Sequence, residues 1–441
     1  MLSKLMTQIN NHILANYNDN LMEKVVERNN LKRALERVES NKGAPGVDKM
    51  QVKELLPYLK EHWSRIKQEL LDGTYKPTPV RRVEIPKPDG GVRELGIPTV
   101  LDRFIQQAMQ QVLTPIFELT FSEFSYGFRP GKSTRQAVLK AQSYIKSGKK
   151  IVVDIDLEKF FDRVNHDLLM TKVAKHVGDS RIHKIIRKYL QTGVMLNGCC
   201  VVTDEGTPQG GPISPLLSNI MLNDLDHELT QRGHSFARYA DDCNIYVSSM
   251  RAGKRVYESI SKFIKERLKL NINEQKSAVA LPYKRRFLGF SFTSCEEAKR
   301  QIAPRTKTRF KERIRELTSR NGGVSMDDRL EKLNSYLMGW SVCYGIAQTK
   351  TIFRELDGWI RRRLRMCLLK QWKRSETKIA NLRILGIKEE AAKGIAFSRR
   401  KYWRLAHVYP VQQALSNTYW HAQGLVSLVD RNCAMLLKVS I

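Results

Sequence analysis

Three aspartates lie within or beside segments whose residue patterns predict β-strands. Asp156 lies in the apolar segment IVVDIDL at 151–157, and Asp241-Asp242 separates FARYA at 236–240 from CNIYV at 243–247. An unpaired buried carboxylate is costly, so carboxylates in such places are usually paired, metal-bound or located at a strand end. Carboxylate oxygens suit Mg²⁺, and a pair of divalent ions can catalyse nucleotidyl transfer to a hydroxyl group.

A solvated turn is the simpler explanation of an Asp-Asp pair between two strands, because aspartate is common in turns. The carboxylate of Asp156, 85 residues upstream of Asp241, weakens this explanation without excluding it. Asp154, two residues before Asp156, competes with it as a metal ligand. From these residues alone, a metal site and a solvated turn both stay open.

The charge of the chain predicts a polyanionic partner. It carries 76 Lys and Arg against 45 Asp and Glu, a formal net charge of +31. A field of that sign attracts nucleic acid, and a membrane-surface binder is the alternative. The excess is concentrated between Lys299 and Arg404, where 28 basic residues stand against 10 acidic ones.

Cysteine usage and hydropathy bear on the compartment. The seven cysteines include no Cys-x-x-Cys pair, which argues against a disulfide framework and a zinc module and fits a reducing compartment. Residues 1–20 lack the apolar core of a signal peptide, and no run of 18 apolar residues follows. We therefore expect a soluble, intracellular protein with no membrane partner.

Hydrophobic periodicity predicts helices interleaved with a few antiparallel strands, which is an α+β fold. Helices are predicted at about 21–40, 53–71, 102–119, 166–175 and 180–192, and another begins with Ser214 as N-cap and Pro215. A hairpin is predicted from strands 81–86 and 92–97, and further strands at 150–157, 236–247 and 287–292. Apolar stripes at 330–344 and 353–364 are predicted to be packing faces of helices.

Six segments in chain order resemble the reverse transcriptases of group II introns. They are SYGFRPGKS at 125–133, DLEKFFD at 156–162, GTPQGGPISP at 206–215, YADD at 239–242, KLNINEQKSAV at 269–279 and FLGF at 287–290. The resemblance covers about residues 20–425 and implies a right-hand polymerase with a small antiparallel sheet in its palm.

The same resemblance implies four domains. They are an N-terminal helical extension at 1–75, fingers and palm at 76–294, a helical thumb (maturase domain X) at 295–375, and a basic DNA-binding domain at 376–441. The endonuclease found in some members needs paired cysteines and histidines that this sequence lacks after the basic region. The expected class is therefore the endonuclease-lacking group IIC.

The resemblance assigns roles to individual residues. In this family an aromatic residue follows the metal-binding aspartate by five positions; counted from Asp156 this is Phe161, so Asp156 is preferred to Asp154. Asp156, Asp241 and Asp242, with the Leu157 carbonyl, would hold two Mg²⁺ ions, for which Mn²⁺ is a substitute. Binding roles are expected for Lys87, Arg93, Phe161, Gln209 and Lys276 (dNTP), Leu288, Gly289 and Phe290 (primer), and Arg361, Arg362, Arg363, Arg399, Arg400 and Lys401 (nucleic acid).

The implied function is RNA-directed DNA synthesis by the enzyme of a mobile group II intron. The implied partners are intron RNA, an RNA template with a DNA primer, target DNA and dNTPs, in a bacterial cytoplasm, with dimerisation left open. One rival is a maturase that binds intron RNA and has a vestigial polymerase site. A second is a retron, diversity-generating or CRISPR-associated reverse transcriptase, against which the basic segments after residue 295 count.

Overall fold

The computed structural model of the 441-residue chain describes residues 20–86, 92–196, 199–201, 205–206 and 210–440. The chain forms two compact units. The first runs to Tyr144 and from Gly148 to Ala280, and the second comprises Ile145–Ser147 and the chain from Leu281 onward. Within the described residues, no helix is long and apolar enough to cross a membrane.

The first unit opens with helices α1 (Leu21–Val25), α2 (Arg28–Asn41) and α3 (Leu55–Leu71). The single helix predicted at 21–40 is therefore wrong in one respect, because it breaks at Val26-Glu27. Glu27 takes an extended backbone conformation, and the Asn30 amide donates to the Val25 carbonyl oxygen at 3.0 Å. The side-chain amide of Asn30 thus replaces a backbone donor to a carbonyl oxygen at the end of the interrupted helix.

Strands β1 (Val80–Pro86), β2 (Val92–Ile97), β4 (Val194–Leu196) and β5 (Cys199–Val201) form a sheet in the order β2-β1-β4-β5. The predicted hairpin is confirmed, since β1 and β2 pair antiparallel with Arg81 opposite Ile97. Helix α4 (Val100–Glu118) follows, and its buried Asp102 accepts hydrogen bonds from the Tyr75 and Tyr189 hydroxyls at 3.0 and 3.1 Å. Burial raises the pKa of Asp102 although these donors oppose the rise.

A second sheet carries the region of the aspartates. Strands β3 (Ile151–Ile155), β6 (Ser235–Tyr239), β7 (Asp242–Val247) and β8 (Ala278–Ala280) stand in the order β6-β7-β3-β8, with all three pairings antiparallel. β3 is short and buried because it is almost wholly Ile and Val. The accompanying helices are α5 (Thr134–Lys146), α6 (His166–Ala174), α7 (Ser180–Gln191), α8 (Ser214–Gln231) and α9 (Met250–Arg267).

The prediction that Ser214 caps α8 is wrong by one residue. Ile213 occupies the cap position, Ser214 is the first helical residue, and Pro215 lies in the first turn, where its missing N–H costs nothing. Ser214 is buried and its backbone N–H donates to the Gly211 carbonyl oxygen at 3.2 Å.

The second unit is mainly helical. It contains a two-stranded ladder of β9 (Phe290–Phe292) and β10 (Arg300–Ile302), and helices α10 (Pro304–Leu317), α11 (Met326–Tyr344), α12 (Lys350–Gln371), α13 (Ser375–Ile384), α14 (Glu389–Ala396), α15 (Tyr402–Leu405), α16 (Tyr409–Ala414), α17 (Asn417–Ala422) and α18 (Leu428–Ser440). Most of each predicted stripe, including Leu333 and Leu337 of α11 and Leu356 and Ile360 of α12, is buried. The predicted packing faces and the α+β class are thus confirmed.

Candidate active site

The Asp241-Asp242 pair lies at a two-residue hairpin turn. Tyr239 of β6 pairs with Asp242 of β7, so Ala240 and Asp241 are the two central residues. Ala240 has φ 56°, and Asp241 is not among the residues with positive φ. A positive φ at the first central residue alone is the pattern of a type II′ turn, a position that favours glycine. An alanine there is strained, and such strain persists only where surrounding structure holds it.

Strand register brings Asp156 to the same end of the sheet. β3 pairs with β7 with Ile155 opposite Cys243, the last pair of the ladder, so Asp156 follows β3 at the end of the sheet where Asp242 begins β7. The backbone therefore gathers the three aspartates at one edge. Among the described residues, however, no three His, Cys, Asp or Glu side chains stand close enough together to hold a metal ion as they are. The donor set, oxygen only and triply anionic, fits a hard divalent cation.

Asp154 differs from Asp156 in its partner. It lies opposite Asn244 in the β3–β7 ladder. The Asn244 amide nitrogen, in the orientation that satisfies its neighbours, lies 2.9 Å from Asp154 Oδ1. Asp154 is thus engaged inside the sheet, whereas Asp156 follows the strand end at the aspartate edge. This difference supports the choice of Asp156 over Asp154 as metal ligand.

The segment 271–277 holds the backbone of Asp156. The Asp156 N–H donates to Ser277 Oγ at 2.9 Å, and its carbonyl oxygen accepts from the Asn273 N–H at 2.8 Å. The Glu158 N–H donates to the Asn271 carbonyl oxygen at 2.8 Å. Since the backbone groups of successive strand residues point to opposite sides, the Leu157 carbonyl is directed away from this segment. Lys276 is exposed in the same turn.

Phe161 follows in a single 3₁₀ turn, Phe160–Asp162. Phe160 takes the core position with its ring buried, and the Phe161 ring lies 5.2 Å from it, half-exposed. The Gly206 N–H donates to the Val164 carbonyl oxygen at 2.8 Å, which sets the start of the 206–215 motif beside this segment. Farther along that motif, Gly210 lies against the Gly96 carbonyl of β2.

For three of the residues predicted to contact the dNTP, the structure describes at most the backbone. Gln209 and Lys87 lie outside the described residues. Arg93 belongs to β2, where its backbone is opposite Ile85; its side chain lies outside the description. Their assignment to the nucleotide stays a prediction.

The predicted primer-binding residues form a second tight turn, in the second unit. Phe287 and Phe290 exchange both backbone hydrogen bonds at 2.8 and 2.9 Å. Leu288 and Gly289 between them have φ 52° and 81°, the pattern of a type I′ turn. The Phe290 ring is fully buried, 5.4 Å from that of Tyr344, and the primer-binding role of these three residues stays a prediction. The ring supports the turn, and only Leu288 and Gly289 are partly exposed.

Comparison with known proteins decides the family. The model of the reverse transcriptase (RNA-dependent DNA polymerase) family matches residues 85–292, and that of the group II intron, maturase-specific domain matches residues 307–385. Protein YkfC of Escherichia coli K12 is 35% identical over 280 residues, which are 54% of this chain and 74% of YkfC. The chain belongs to the group II intron reverse transcriptase/maturase family.

Two intron-encoded relatives extend the comparison. The group II intron-encoded protein LtrA of Lactococcus lactis subsp. cremoris is 36% identical over 227 residues, 51% of this chain and 37% of LtrA. The putative COX1/OXI3 intron 2 protein of Saccharomyces cerevisiae is 31% identical over 214 residues, 47% of this chain and 24% of that protein. The chain thus spans little more than a third of LtrA and a quarter of the yeast protein.

The arginine run in the maturase-specific segment is not one uniform surface. Arg362 donates twice to the Trp403 carbonyl oxygen, at 3.1 and 3.3 Å, and stacks 4.0 Å from its ring centroid. Arg363 donates to the Thr318 hydroxyl and carbonyl oxygens at 2.7 and 3.0 Å. Much of each guanidinium group is thus used within the unit, and the phosphate contacts predicted for these two residues stay predictions.

The remaining predicted contacts differ in their exposure. Arg361 is half-buried, and burial lowers its pKa although the nearby Asp357 opposes that shift. Together with Arg354 it lines a cavity bounded by parts of α12, α17 and α18. Arg399, Arg400 and Lys401 are all exposed. These four cations therefore stay candidates for nucleic-acid contact.

Residue patterns did not single out Arg238, which directly precedes the YADD segment at 239–242. Its side chain is wholly buried beside Asp226. Burial alone would lower the pKa of Arg238, but the Asp226 carboxylate outweighs it, with a smaller contribution from Asp241, and the pKa is raised. The available signal was a cation between Ala237 and Tyr239 in a segment that otherwise reads as an apolar strand, since such a residue must be paired when it is buried.

Proposed function

We propose that this protein extends a DNA primer on an RNA template, and that Asp156, Asp241 and Asp242 hold the divalent cations of the reaction. The observation that carries the proposal is the β3–β7 register: Ile155 lies opposite Cys243, so Asp156 follows β3 at the end of the sheet where Asp242 begins β7, next to the turn containing Asp241. The family match over residues 85–292, which contain all three aspartates, supports it.

The chain's own residues have distinct parts in this proposal. When bound, two Mg²⁺ ions would supply activation of the primer 3′-hydroxyl and neutralisation of the leaving pyrophosphate. Asp156 and Asp242 supply carboxylates from facing strands, and Asp241 supplies one from the turn. The Leu157 carbonyl, directed away from segment 271–277, is a further oxygen donor. Lys276 lies in the turn that holds Asp156, so its ammonium is suited to the triphosphate.

Binding of intron RNA and target DNA is proposed for the second unit. Asp357, the carboxylate nearest Arg361, accepts hydrogen bonds from the Leu428 and Val429 N–H groups at 3.0 and 3.1 Å. The guanidinium groups of Arg361 and Arg354 make no hydrogen bond to the described residues, so they can bind a phosphate. Asp430 at the cavity rim would oppose that binding. Since YkfC and LtrA are bacterial, we place the activity in a bacterial cytoplasm.

Primer extension with the full-length protein tests the proposal. Wild type should extend a DNA primer on an RNA template with Mg²⁺ and dNTPs, and Asp241→Asn should lower the rate by at least about 100-fold because a metal-binding charge is lost. Asp154→Asn is the matched control, and it should retain most of the activity. No extension by wild type, together with specific intron binding, would favour the maturase that only binds RNA.

Sugar selection by Phe161 is the second expected property. A half-exposed ring beside the 206–215 motif would exclude a 2′-hydroxyl by steric contact, so Phe161→Ala should admit ribonucleotides. The ratio of dNTP to rNTP incorporation should fall about tenfold or more, as expected for loss of 1–2 kcal/mol of discrimination. Phe160→Leu, a change to the buried neighbour, is the control. Unchanged sugar discrimination in Phe161→Ala would contradict the assignment.

A further inference from the structure

Arg238 uses every N–H group of its guanidinium. Nε and Nη2 donate to the two Asp226 carboxylate oxygens at 2.7 and 2.6 Å. Nη2 also donates to Ser125 Oγ at 2.7 Å, and Nη1 donates to Asn219 Oδ1 at 3.1 Å. The remaining donor of Nη1 reaches the Ala240 carbonyl oxygen at 2.8 Å. Arg238 thus connects helix α8 to the peptide that joins Ala240 to Asp241.

A second set of contacts supports the same turn. Asn219 donates from Nδ2 to the Gly127 carbonyl oxygen at 2.8 Å. Gly127 lies directly against the turn, because a Cβ there would stand 3.0 Å from the Tyr239 carbonyl carbon and closer still to the Ala240 nitrogen. The Tyr126 N–H donates to the Arg238 carbonyl oxygen at 2.8 Å. Segment 124–127 and helix α8 therefore hold the turn from outside its hairpin.

We propose that the buried Arg238–Asp226 pair, with Asn219 and Ser125, is a positioning network that fixes the Ala240–Asp241 peptide and so sets the affinity of the site for divalent cations. This inference rests on the proposed function only in taking Asp241 as a metal ligand. Ala240 holds a strained positive φ, which a hydrogen bond to its own carbonyl can maintain. Arg238 is thus a positioning residue that acts through Asp241.

The alternative is a salt bridge that serves stability alone. A buried ion pair is a poor stabiliser, since removing two charges from water offsets most of their attraction. Apolar residues of similar size would serve the packing equally well. They could not donate to the Ala240 carbonyl, nor place a positive charge where it interacts with Asp241. The contact with the turn therefore distinguishes the two interpretations.

Arg238→Lys and Ser125→Ala, in the full-length protein, test the network. Lysine keeps the charge but has three donors and no planar fork, while Ser125→Ala removes one partner of the guanidinium. Leu229→Ala is the control, because it opens a cavity in the same helix and involves no hydrogen bond. Two readouts do not depend on catalysis: Mn²⁺ binding by electron paramagnetic resonance, with sites counted against Asp241→Asn, and hydrogen exchange of residues 236–247 relative to β3.

We expect Arg238→Lys to weaken Mn²⁺ binding about tenfold, because it loses several hydrogen bonds of the network. Ser125→Ala loses one hydrogen bond and should weaken binding about twofold. Exchange at the turn should accelerate in the same order. Leu229→Ala should leave Mn²⁺ affinity unchanged while lowering the melting temperature. Wild-type affinity and exchange in Arg238→Lys would overturn the proposal; if that variant does not fold, wild-type affinity in Ser125→Ala would overturn it.

These readouts separate the inference from the proposed function. Site-specific Mn²⁺ binding that depends on Arg238, in a wild-type protein that extends no primer, would overturn the polymerase assignment and keep the network. If wild type extends the primer and both network variants bind Mn²⁺ with wild-type affinity, the network is overturned and the polymerase assignment is kept.

Discussion

Two tight turns of this protein, at Ala240-Asp241 in the first unit and Leu288-Gly289 in the second, hold similar strain by different means. In each, a residue other than glycine has a positive φ, 56° at Ala240 and 52° at Leu288. The first turn is fixed by residues distant in sequence, among them Gly127 and Arg238. The second contains its own glycine, whose carbonyl oxygen accepts from the Ala303 N–H and the Thr306 hydroxyl. The residues that maintain a strained turn can therefore lie outside the turn itself.

The largest effect in this comparison is expected from Gly127→Ala. A methyl group would overlap the backbone of Tyr239 and Ala240, so either the turn or segment 124–127 must move. We expect a loss of about 1–3 kcal/mol in the free energy of unfolding and a fall in primer-extension rate of at least tenfold. Urea denaturation and single-turnover kinetics measure the two effects. Gly178→Ala, where a Cβ meets no atom within 4 Å, is the control.

Gly289→Ala should be costly in stability and milder in its effect on catalysis. Its φ of 81° disfavours any side chain, and a Cβ would lie 2.7 Å from the Tyr344 hydroxyl. A loss of about 1–3 kcal/mol is expected, measured by thermal unfolding. Because the hydroxyl is the nearest atom, Tyr344→Phe in the same chain should restore part of the loss. Strict additivity of the two changes would contradict this explanation.

The smallest effects are expected where glycine replaces the strained residues themselves. Ala240→Gly and Leu288→Gly each relieve a positive φ but free the unfolded chain, so stability should change by less than about 1 kcal/mol. Ala240→Gly should keep primer extension within about threefold of wild type, since Arg238 still binds the carbonyl at position 240. A large loss of activity would show that the alanine side chain, and not the external network, holds the turn.

Local patterns predicted much of the fold. The β1–β2 hairpin, the short apolar strand β3 and the stripes of α11 and α12 follow from periodicity and turn residues that lie close together in sequence. The break between α1 and α2 was missed, because an Asn30 side chain competes there with the helix. Ser214 was misplaced by one residue, an error within the usual uncertainty of helix ends.

The aspartates of the candidate site could be predicted from the sequence, whereas the residues that hold them in place could not. YADD and the apolar strand before Asp156 singled out the carboxylates, and the family resemblance assigned them to one site. The roles of Arg238, Asp226 and Gly127 depend on contacts across 12 to more than 100 residues, which no local pattern encodes. The same limit applies to Arg362 and Arg363, whose guanidinium groups donate to Trp403 and Thr318, residues that are distant in sequence.

The hydrogen bonds between Ser277 and the Asp156 backbone also bear on the order in which the site forms during synthesis. The segments described around the aspartates, 124–127, 154–158, 219–226, 238–244 and 271–277, all belong to the first unit. Because a chain leaves the ribosome from its N-terminus, Asp156 emerges long before the segment that fixes it. We expect the nascent protein to complete its metal site only after Ser277 is free, while the arginine-rich helices of the second unit are still being made.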